Sequence, residues 1–225
     1  MSKDWHAAAG ALSKITVSSS PGNNPVTIQG NSLHLKCIGV GTDAAVFRHK
    51  DIPSLAFKVY ADDKLYKKDI EQQVYEILSD IPNLSKLYDA GDRYLVLRYE
   101  PGPTLYDCLL QGIHIPLQAI QDVEETRNHI KEYGLNPRDI HLKNILLQNG
   151  RAKILDVSEY INPGNDYRWE HLKKGYDAYY RYIDGKPVPY WLLDTIQKWY
   201  NHSKKDVETI DEFMKKISKL TLFWK

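Results

Sequence analysis

Cysteine and long apolar runs are scarce in this chain. Its two cysteines, Cys37 and Cys108, lie far apart and lack the spacing of metal ligands, a usage that suits a reducing compartment. No stretch approaches the roughly 20 apolar residues of a membrane-spanning helix. The first residues, MSKDWHAAAGALSK, lack the continuous apolar core of a signal peptide. We therefore expect a soluble, cytoplasmic protein with no membrane partner.

The chain also lacks an excess of positive or negative residues. Thirty basic residues stand against 29 acidic ones, so no overall positive field would attract nucleic acid or an anionic membrane. We therefore expect no nucleic-acid partner. With 42% hydrophobic residues among 225, the chain can bury a substantial core, either as one sizeable domain or as two small lobes that share a cleft. Nothing in the sequence indicates an oligomeric state.

Strand patterns come first along the chain and helical patterns later. Residues 1–30 predict an extension or a small edge hairpin. Between residues 33 and 60, two strands are predicted on either side of a glycine-containing loop and a third at 55–60, and a further strand is predicted at 94–99. Helices are predicted at 64–78, at 117–133 and beyond 169, except for a break at 184–187. This order predicts a two-lobed α+β chain, with an extension at 1–30, a first lobe at 31–100 and a second lobe at 101–225.

The two predicted helices before residue 134 each have one apolar side. The residues on the apolar side are Ile70, Val74, Ile77 and Leu78 in the first helix and Leu117, Ile120, Val123 and Ile130 in the second. Gly134 is expected to end the second helix, because glycine adopts the left-handed backbone that often follows a helix.

A glycine-containing stretch, CIGVGTDAAVF, occupies residues 37–47. Glycine has no Cβ, so the backbone of such a stretch can come close to a phosphate. Gly39, Gly41 and Ala44 fit a dinucleotide-binding turn, and together with Val46 they nearly fit the glycine-rich loop of a kinase. A hairpin without any ligand is a third interpretation of the same residues.

The residues after the glycines favour a hairpin over a dinucleotide-binding turn. That turn leads directly into a helix and then to an acidic residue about 20 positions on, and Asp62 has nearly that spacing from Gly41. However, residues 45–47 favour extended backbone, and the turn residues at 51–54 leave too little room for the helix. The next strand carries Lys58, which a kinase requires there, although a mid-strand lysine is more often an exposed residue of a sheet face.

A second motif, PRDIHLKNILL at residues 137–147, places Asp139 and Asn144 five positions apart before an apolar strand. Asn149 and Gly150 then predict a two-residue hairpin turn, since both tolerate a positive φ. Pairing Gln148 with Arg151 places Asn144 opposite Leu155, which is adjacent to Asp156. One turn therefore brings an amide and a carboxylate to the same open end of a hairpin.

Amide and carboxylate oxygens are ligands that suit Mg²⁺. Strict alternation along the two strands would direct Asn144 and Asp156 to opposite faces, so a metal site requires the strand pairing to end just before them. Asp139 and Asp156 could each be only a turn or cap residue. That interpretation does not account for their joint spacing with an upstream glycine loop and the strand lysine.

Between about residues 33 and 166 the chain resembles the protein-kinase-like superfamily, and in particular small bacterial proteins described as serine/threonine kinases. The resemblance implies a compact fold with a small antiparallel β-rich N-lobe, a mainly helical C-lobe and a short activation segment. It also implies that the backbone of residues 39–46 covers the phosphates of ATP and that Lys58 contacts the α- and β-phosphates. Glu71 is the expected helix partner of Lys58, and Glu76 is the alternative.

The resemblance also assigns the remaining site residues. Leu97 would border the adenine pocket, with the Arg98 carbonyl and the Glu100 N–H as the adenine partners. Asp139 would accept the proton of the substrate hydroxyl, and Asn144 and Asp156 would hold Mg²⁺. ATP and Mg²⁺ are thus the implied cofactors, and the second substrate is an unknown protein or a small hydroxyl compound.

The chain departs from the family pattern at several positions. Pro137 replaces the usual histidine, and His141 stands where protein kinases carry a lysine, as in aminoglycoside and choline kinases. His141 is expected to remain catalytic, because a neutral or a charged imidazole can donate a hydrogen bond to a phosphate. Asp166 and Trp169 are the expected supports of the catalytic loop, so that only about ten residues replace the activation segment. Arg138, which in the family often contacts a phosphorylated loop residue, would then lack its partner.

These observations favour an ATP- and Mg²⁺-dependent phosphotransferase that acts on a hydroxyl, with a protein serine or threonine as the first choice of acceptor. A pseudokinase scaffold that binds a nucleotide or a partner without turnover is the alternative, and a kinase of small hydroxyl compounds is the second. Dinucleotide binding is the least favoured of the interpretations. Lys58, Asp139, Asn144 and Asp156 together favour the enzyme, since a scaffold has no chemical need for all four.

Overall fold

The computed structural model describes residues 5–202. Its strands are Ile15–Ser18 (β1), Thr27–Gly30 (β2), Leu35–Val40 (β3), Ala44–His49 (β4), Ile52–Tyr60 (β5), Leu87–Ala90 (β6), Tyr94–Arg98 (β7), Ile145–Gln148 (β8) and Arg151–Ile154 (β9). Its α-helices are Ala9–Leu12 (α1), Leu65–Ile77 (α2), Leu105–Gln111 (α3), Leu117–Glu132 (α4), Arg168–Ile183 (α5) and Tyr190–His202 (α6). Strands precede most of the helical residues, so the chain is of the α+β class that the sequence predicts.

Five antiparallel strands form the main sheet, in the order β3-β4-β5-β7-β6. The glycine stretch is the turn of the β3–β4 hairpin, and β4 pairs directly with β5. No crossover helix lies between these strands, so the dinucleotide-binding interpretation of the stretch is wrong. Gly39 pairs with Val46, and Val46 pairs with Lys58. Because directly paired residues share a sheet face, these three lie in one row across the sheet.

The two faces of the main sheet pack against different parts of the chain. Residues before β3 cover one face, where Ile15, Val17 and Val26 form a buried cluster with apolar residues of β4, β5 and β7. The β1–β2 pair is a separate two-stranded sheet, so it is not an edge of the main sheet. Residues 5–30 therefore contribute to the core, which the interpretation as an extension did not anticipate. The opposite face packs against α2 and the later helices.

The apolar sides of α2 and α4 differ in part from the predicted ones. Val74 and Leu78 are buried in the core, as expected for α2. Ile77 is 46% exposed, because the buried side of α2 is instead centred on Glu71. In α4 the first predicted member, Leu117, is 55% exposed. Ile77 is the last residue of α2 and Leu117 the first of α4.

The β8–β9 hairpin has the predicted register, with Gln148 opposite Arg151. Asn149 and Gly150 both have positive φ, 50° and 79°, as the two-residue turn requires. The strand pairing ends at Ile145 and Ile154, so Asn144 and Asp156 lie beyond the ladder. The condition that the metal-site interpretation sets for this hairpin is therefore met.

The helical prediction beyond residue 169 agrees with α5 and α6, which are separated by residues 184–189. The part of that prediction that covers 203–225 lies outside the described residues. None of the helices in the described part of the chain has both the length and the apolar character needed to cross a bilayer.

Candidate active site

A three-residue ion cluster lies between the main sheet and the β8–β9 hairpin. Lys58 of β5 places its Nζ 2.6 Å from Oε2 of Glu71 in α2 and 3.0 Å from Oδ2 of Asp156, which follows β9. The alternative partner, Glu76, is exposed and accepts a hydrogen bond from Gln72 at 2.9 Å. Glu71 is therefore the helix residue that pairs with Lys58.

Burial and mutual charge shift the pKa values of the residues in this cluster. The Glu71 side chain is fully buried and that of Lys58 is 13% exposed, and the Tyr60 hydroxyl also donates to Glu71. Burial alone would lower the pKa of Lys58, but the adjacent Asp156 and Glu71 carboxylates outweigh it and hold the pKa above its usual range. Burial raises the pKa of Glu71, and Lys58 partly offsets that rise. Lys58 is therefore a permanent cation at neutral pH.

Asp156 is the member of the cluster most open to solvent, with a side chain 32% exposed. Burial would raise its pKa, but the Lys58 ammonium and a hydrogen bond from the Ser158 N–H lower that pKa to about 2. The Ser158 N–H lies 2.9 Å from Oδ1. Asp156 is thus an anion throughout the physiological range and is held by donors on both of its oxygens.

The loop that carries Asp139 is held by a second carboxylate. The Asp139 N–H donates to Oδ2 of Asp166 at 2.8 Å, and Trp169 is buried and donates from its indole N–H to Glu124 of α4. Asp139 has a φ of 53°, a left-handed backbone that is uncommon for a residue other than glycine. Such backbone outliers concentrate at functional sites, where the surrounding structure maintains them. Burial raises the pKa of the Asp139 carboxyl to about 6, against the lowering effect of Arg168.

Arg168, the first residue of α5, is the site residue that the sequence interpretation missed. Its Nη1 donates to Oδ1 of Asp139, and its Nε lies 3.5 Å from Oδ2 of Asp166. The available signal was its position between Asp166 and Trp169, the two expected supports of the loop. Only the packing of α5 against the loop shows that the guanidinium reaches Asp139.

His141 lies beside the same carboxylate, with its Nε2 3.9 Å from Oδ2 of Asp139. Burial, together with the nearby Arg168 charge, lowers the pKa of His141 to about 4. Its Nδ1 accepts the Lys143 N–H at 3.2 Å, so the neutral ring carries its proton on Nε2. His141 can therefore donate a hydrogen bond at neutral pH, but it contributes no charge.

Asn144 and Asp156 offer the oxygen donors that Mg²⁺ prefers. The Asn144 side-chain nitrogen donates to the Asp139 carbonyl at 3.2 Å, which leaves the amide oxygen available as a ligand. The Leu155 N–H donates to the Asn144 carbonyl at 2.9 Å. This bond holds Asn144 and Asp156, the residue after Leu155, at the same end of the hairpin. The donor set fits a magnesium ion.

The glycine loop lies at the end of the row that contains Lys58. A Cβ on Gly39 would be 3.8 Å from the Val46 side chain, an ordinary van der Waals distance. The Gly41 N–H donates to the Ala44 carbonyl at 2.9 Å within the turn. It is therefore engaged in the loop itself, and the loop geometry does not depend on a ligand.

The three residues expected near adenine lie at and just after the end of β7. Leu97 is buried on the helix-facing side of the sheet. The Arg98 carbonyl accepts a hydrogen bond from the Ser85 hydroxyl at 3.4 Å. The Glu100 side chain is also buried and accepts the Gln148 amide at 3.1 Å. Their contact with a nucleotide stays a prediction.

The segment between Asp156 and Asp166 is tied to the Asp139 loop at two points. The Asn136 N–H donates to the Tyr160 carbonyl at 2.8 Å, and the Arg138 guanidinium donates to the Pro163 carbonyl. Arg138 therefore donates to a backbone carbonyl and not to a phosphorylated side chain.

Comparison with curated proteins identifies a relative in Bacillus subtilis (strain 168) named "Putative serine/threonine-protein kinase YrzF". The two sequences are 33% identical over 182 residues, which cover 80% of this chain and 83% of the relative. No family model matches the chain. The similarity therefore extends over most of both chains rather than over a single motif.

Proposed function

This chain belongs to the family of kinase-like small bacterial proteins that includes the Bacillus subtilis relative, and from that membership we propose that it is an ATP- and Mg²⁺-dependent phosphotransferase. The acceptor is a hydroxyl group, and a protein serine or threonine is the first choice. In this proposal residues 31–100 form the N-lobe and 101–225 the C-lobe of a kinase-like fold, with 1–30 as the preceding extension.

The observation that carries the proposal is the position of Lys58 between two carboxylates from different elements. Its ammonium lies 2.6 Å from Glu71 and 3.0 Å from Asp156. The ammonium thus orients Asp156, an acidic residue that is partly open to solvent. Support also comes from Asp139, a partly buried carboxyl with a raised pKa and an unusual backbone.

The nucleotide lies under the glycine loop in this proposal, with the backbone of residues 39–46 next to the phosphates. Lys58 contacts the α- and β-phosphates, and Leu97 and the backbone of Arg98 and Glu100 contact adenine. Asn144 and Asp156 are the residues that would hold Mg²⁺. A bound Mg²⁺ ion supplies neutralisation of phosphate charge.

Phosphoryl transfer then needs positioning and one proton acceptor. The substrate hydroxyl oxygen forms a bond to the γ-phosphorus, while the bond from that phosphorus to the bridging oxygen of ADP breaks and its electron pair leaves with ADP. The hydroxyl proton passes to a carboxylate oxygen of Asp139. His141 donates a hydrogen bond from Nε2, as its neutral tautomer allows.

Arg168 supplies the positive charge that a neutral His141 cannot. It lies against Asp139, next to the place where the hydroxyl and the γ-phosphoryl group would meet. An arginine provided by the same chain can stabilise the charge that develops on a transferring phosphoryl group. In this proposal the Arg168 guanidinium also lowers the pKa of Asp139 and thus keeps more of the base deprotonated.

Two carboxamide variants test the proposal, with ATP affinity and phosphate transfer measured on each. Asp139→Asn removes the proton acceptor, so binding should persist while transfer falls by roughly 10²–10⁴-fold. Asp156→Asn removes the anionic metal ligand and should weaken both Mg·ATP binding and transfer. Asp177→Asn, on the exposed side of α5, is the matched control and should change neither.

The outcome for the wild type decides between enzyme and scaffold. Nucleotide binding without transfer to any protein or small acceptor, and equally mild effects of both carboxamides, would establish a pseudokinase instead. Tighter binding of NAD than of Mg·ATP would contradict the kinase assignment altogether.

A small hydroxyl compound is the second candidate acceptor. The segment from Asp156 to Asp166 is short, and its backbone is tied to the Asp139 loop by Tyr160 and Pro163. Such a segment offers little surface on which a peptide could be aligned. Incubation of the wild type with labelled ATP and separate protein and small-molecule fractions of a lysate distinguishes the two acceptor classes.

A further inference from the structure

A cluster of metal-ligating side chains lies at the end of the main sheet away from the glycine loop. His34 immediately precedes β3, His49 ends β4, and Asp51 lies in the two-residue turn into β5. Lys58 is six residues along β5 from the start of that strand, which corresponds to about 20 Å at 3.3 Å per residue. The cluster is therefore separate from the proposed nucleotide site.

Backbone hydrogen bonds hold the three residues in place. Leu35 pairs with His49 in the β3–β4 ladder, and the Lys50 N–H donates to the His34 carbonyl at 2.9 Å. His49 is the last residue of β4, and His34 and Asp51 are turn residues directly adjoining β3 and β5. Their short distance from the strand ladder limits how far these residues can move.

The side chains converge on a common point. Nδ1 of His34 lies 3.2 Å from Oδ2 of Asp51, and Nδ1 of His49 lies 3.9 Å from the same oxygen. One ligand atom from each residue lies within 4.8 Å of the other two. The His49 side chain is only 4% exposed, whereas those of His34 and Asp51 are 50% and 61% exposed. One ligand is thus anchored in the protein and the other two lie at the solvent boundary.

We propose that His34, His49 and Asp51 bind a divalent transition-metal cation of the Zn²⁺ class. Imidazole nitrogens with one carboxylate are a typical ligand set for such ions, whereas Mg²⁺ and Ca²⁺ prefer oxygen donors. Three protein ligands would leave a coordination position for water. The Asp51 N–H lies 3.3 Å from His49 Nδ1, a long contact that coordination by a metal can replace.

A simple histidine–carboxylate pair elsewhere in the chain provides the comparison. Nδ1 of His114 lies 2.7 Å from Oδ1 of Asp184, closer than any contact in the cluster. Within the described residues, no third ligating group lies close enough to complete a metal site there. An ordinary ion pair is therefore present at His114, whereas the cluster brings two imidazoles to one carboxylate oxygen.

The test titrates Zn²⁺, and Co²⁺ as a spectroscopic probe, into the full chain prepared without a histidine tag or nucleotide. We expect one ion per chain, a visible Co²⁺ absorption band and a rise in the unfolding temperature with Zn²⁺, all insensitive to excess Mg²⁺. His34→Gln and Asp51→Asn, both at half-exposed or exposed positions, should each lower the affinity at least about tenfold. His114→Gln is the matched control and should bind like the wild type.

Two results would overturn the site. One is a wild type that shows no saturable Zn²⁺ binding by calorimetry. The other is an equal loss of affinity in His34→Gln and His114→Gln, which would indicate dispersed surface binding. Because both variants are judged against their own unfolding curves without metal, a failure to fold is recognised separately.

Discussion

Two buried carboxylates, Glu71 and Asp122, have cationic partners but very different surroundings. Both side chains are fully buried. Glu71 shares the single ammonium of Lys58 with Asp156. Asp122, on α4, has the guanidinium of Arg151 to itself, with Nη2 2.7 Å from Oδ1 and Nε 2.8 Å from Oδ2.

Hydrogen bonds deepen the contrast. Asp122 also accepts the Ala152 N–H at 2.9 Å and the Gln118 amide at 3.0 Å, so both its charge and its acceptor capacity are matched. These bonds connect α4 to β9 and have a structural role. At Glu71 and Asp156, two carboxylates share one cation, and the excess negative charge suits a site that receives a metal ion. The two carboxylates therefore differ in how completely their charge is matched.

The pKa directions follow the same division. Burial acts to raise the pKa of both carboxyls. At Asp122 the hydrogen bonds from Arg151, Gln118 and Ala152 outweigh burial and lower the pKa. At Glu71 burial prevails and the pKa is raised.

Replacing Lys58 should give the largest effect and isolate the functional cluster. Lys58→Met should abolish phosphate transfer while the fold persists, because methionine keeps the apolar stem and Glu71, with its raised pKa, can take up a proton. Lys58→Arg should fail as well, since a planar fork does not replace a compact ammonium. The measurement is transfer of labelled phosphate, with circular dichroism to verify folding.

The control for Lys58 is Lys173→Met, which breaks an exposed pair with Asp177 on α5. It should retain full transfer. A Lys58→Met protein that transfers phosphate as fast as the wild type would show that the cluster has no catalytic role.

Arg168→Gln should give the next largest effect, a fall in the transfer rate of about 10²-fold or more with little change in ATP affinity. Asp139 has a pKa of about 6, which Arg168 lowers. The wild-type rate should therefore rise with pH through about 6, as the base loses its proton, and removal of Arg168 should move that midpoint to higher pH. The measurement is the rate against pH for both proteins, and an unchanged midpoint would contradict the proposed contact.

Asp122→Ala tests the structural side of the comparison. It leaves the buried Ala152 N–H without its acceptor, which costs about 1–3 kcal/mol in the free energy of unfolding. Arg151 is 57% exposed and can turn to water, so its unpaired charge adds little. Denaturant unfolding measures the loss. Transfer per folded molecule should be unchanged, and a selective loss of transfer would mean that Asp122 belongs to the active site.

The smallest effect concerns acid stability. The pKa of Asp122 is lower in the folded chain than its unfolded value near 3.9. Its contribution to stability is therefore complete above that value and is lost as the pH falls through the folded pKa. Asp122→Asn should flatten the dependence of unfolding free energy on pH below about 4. A profile that matches the wild type in that range would show that another group dominates acid unfolding.

Local features of this protein could be predicted from its sequence alone. The β8–β9 register follows from Asn149 and Gly150, because a two-residue turn sets which residues face each other. The β3–β4 hairpin follows from extended residues directly after the glycines. The same register predicts that Asn144 and Asp156 meet at the open end of that hairpin, since Asn144 then lies opposite Leu155.

Only the tertiary structure decided which distant residues meet. Sequence patterns left Glu76 open as a partner of Lys58, and the rotation of α2 on the sheet selects Glu71. The contact of Arg168 with Asp139 and the convergence of His34 on Asp51 likewise depend on elements packing together. Turns and strand alternation are set by backbone preferences of neighbouring residues. Contacts between separate elements depend on how their buried faces fit, which no local pattern encodes.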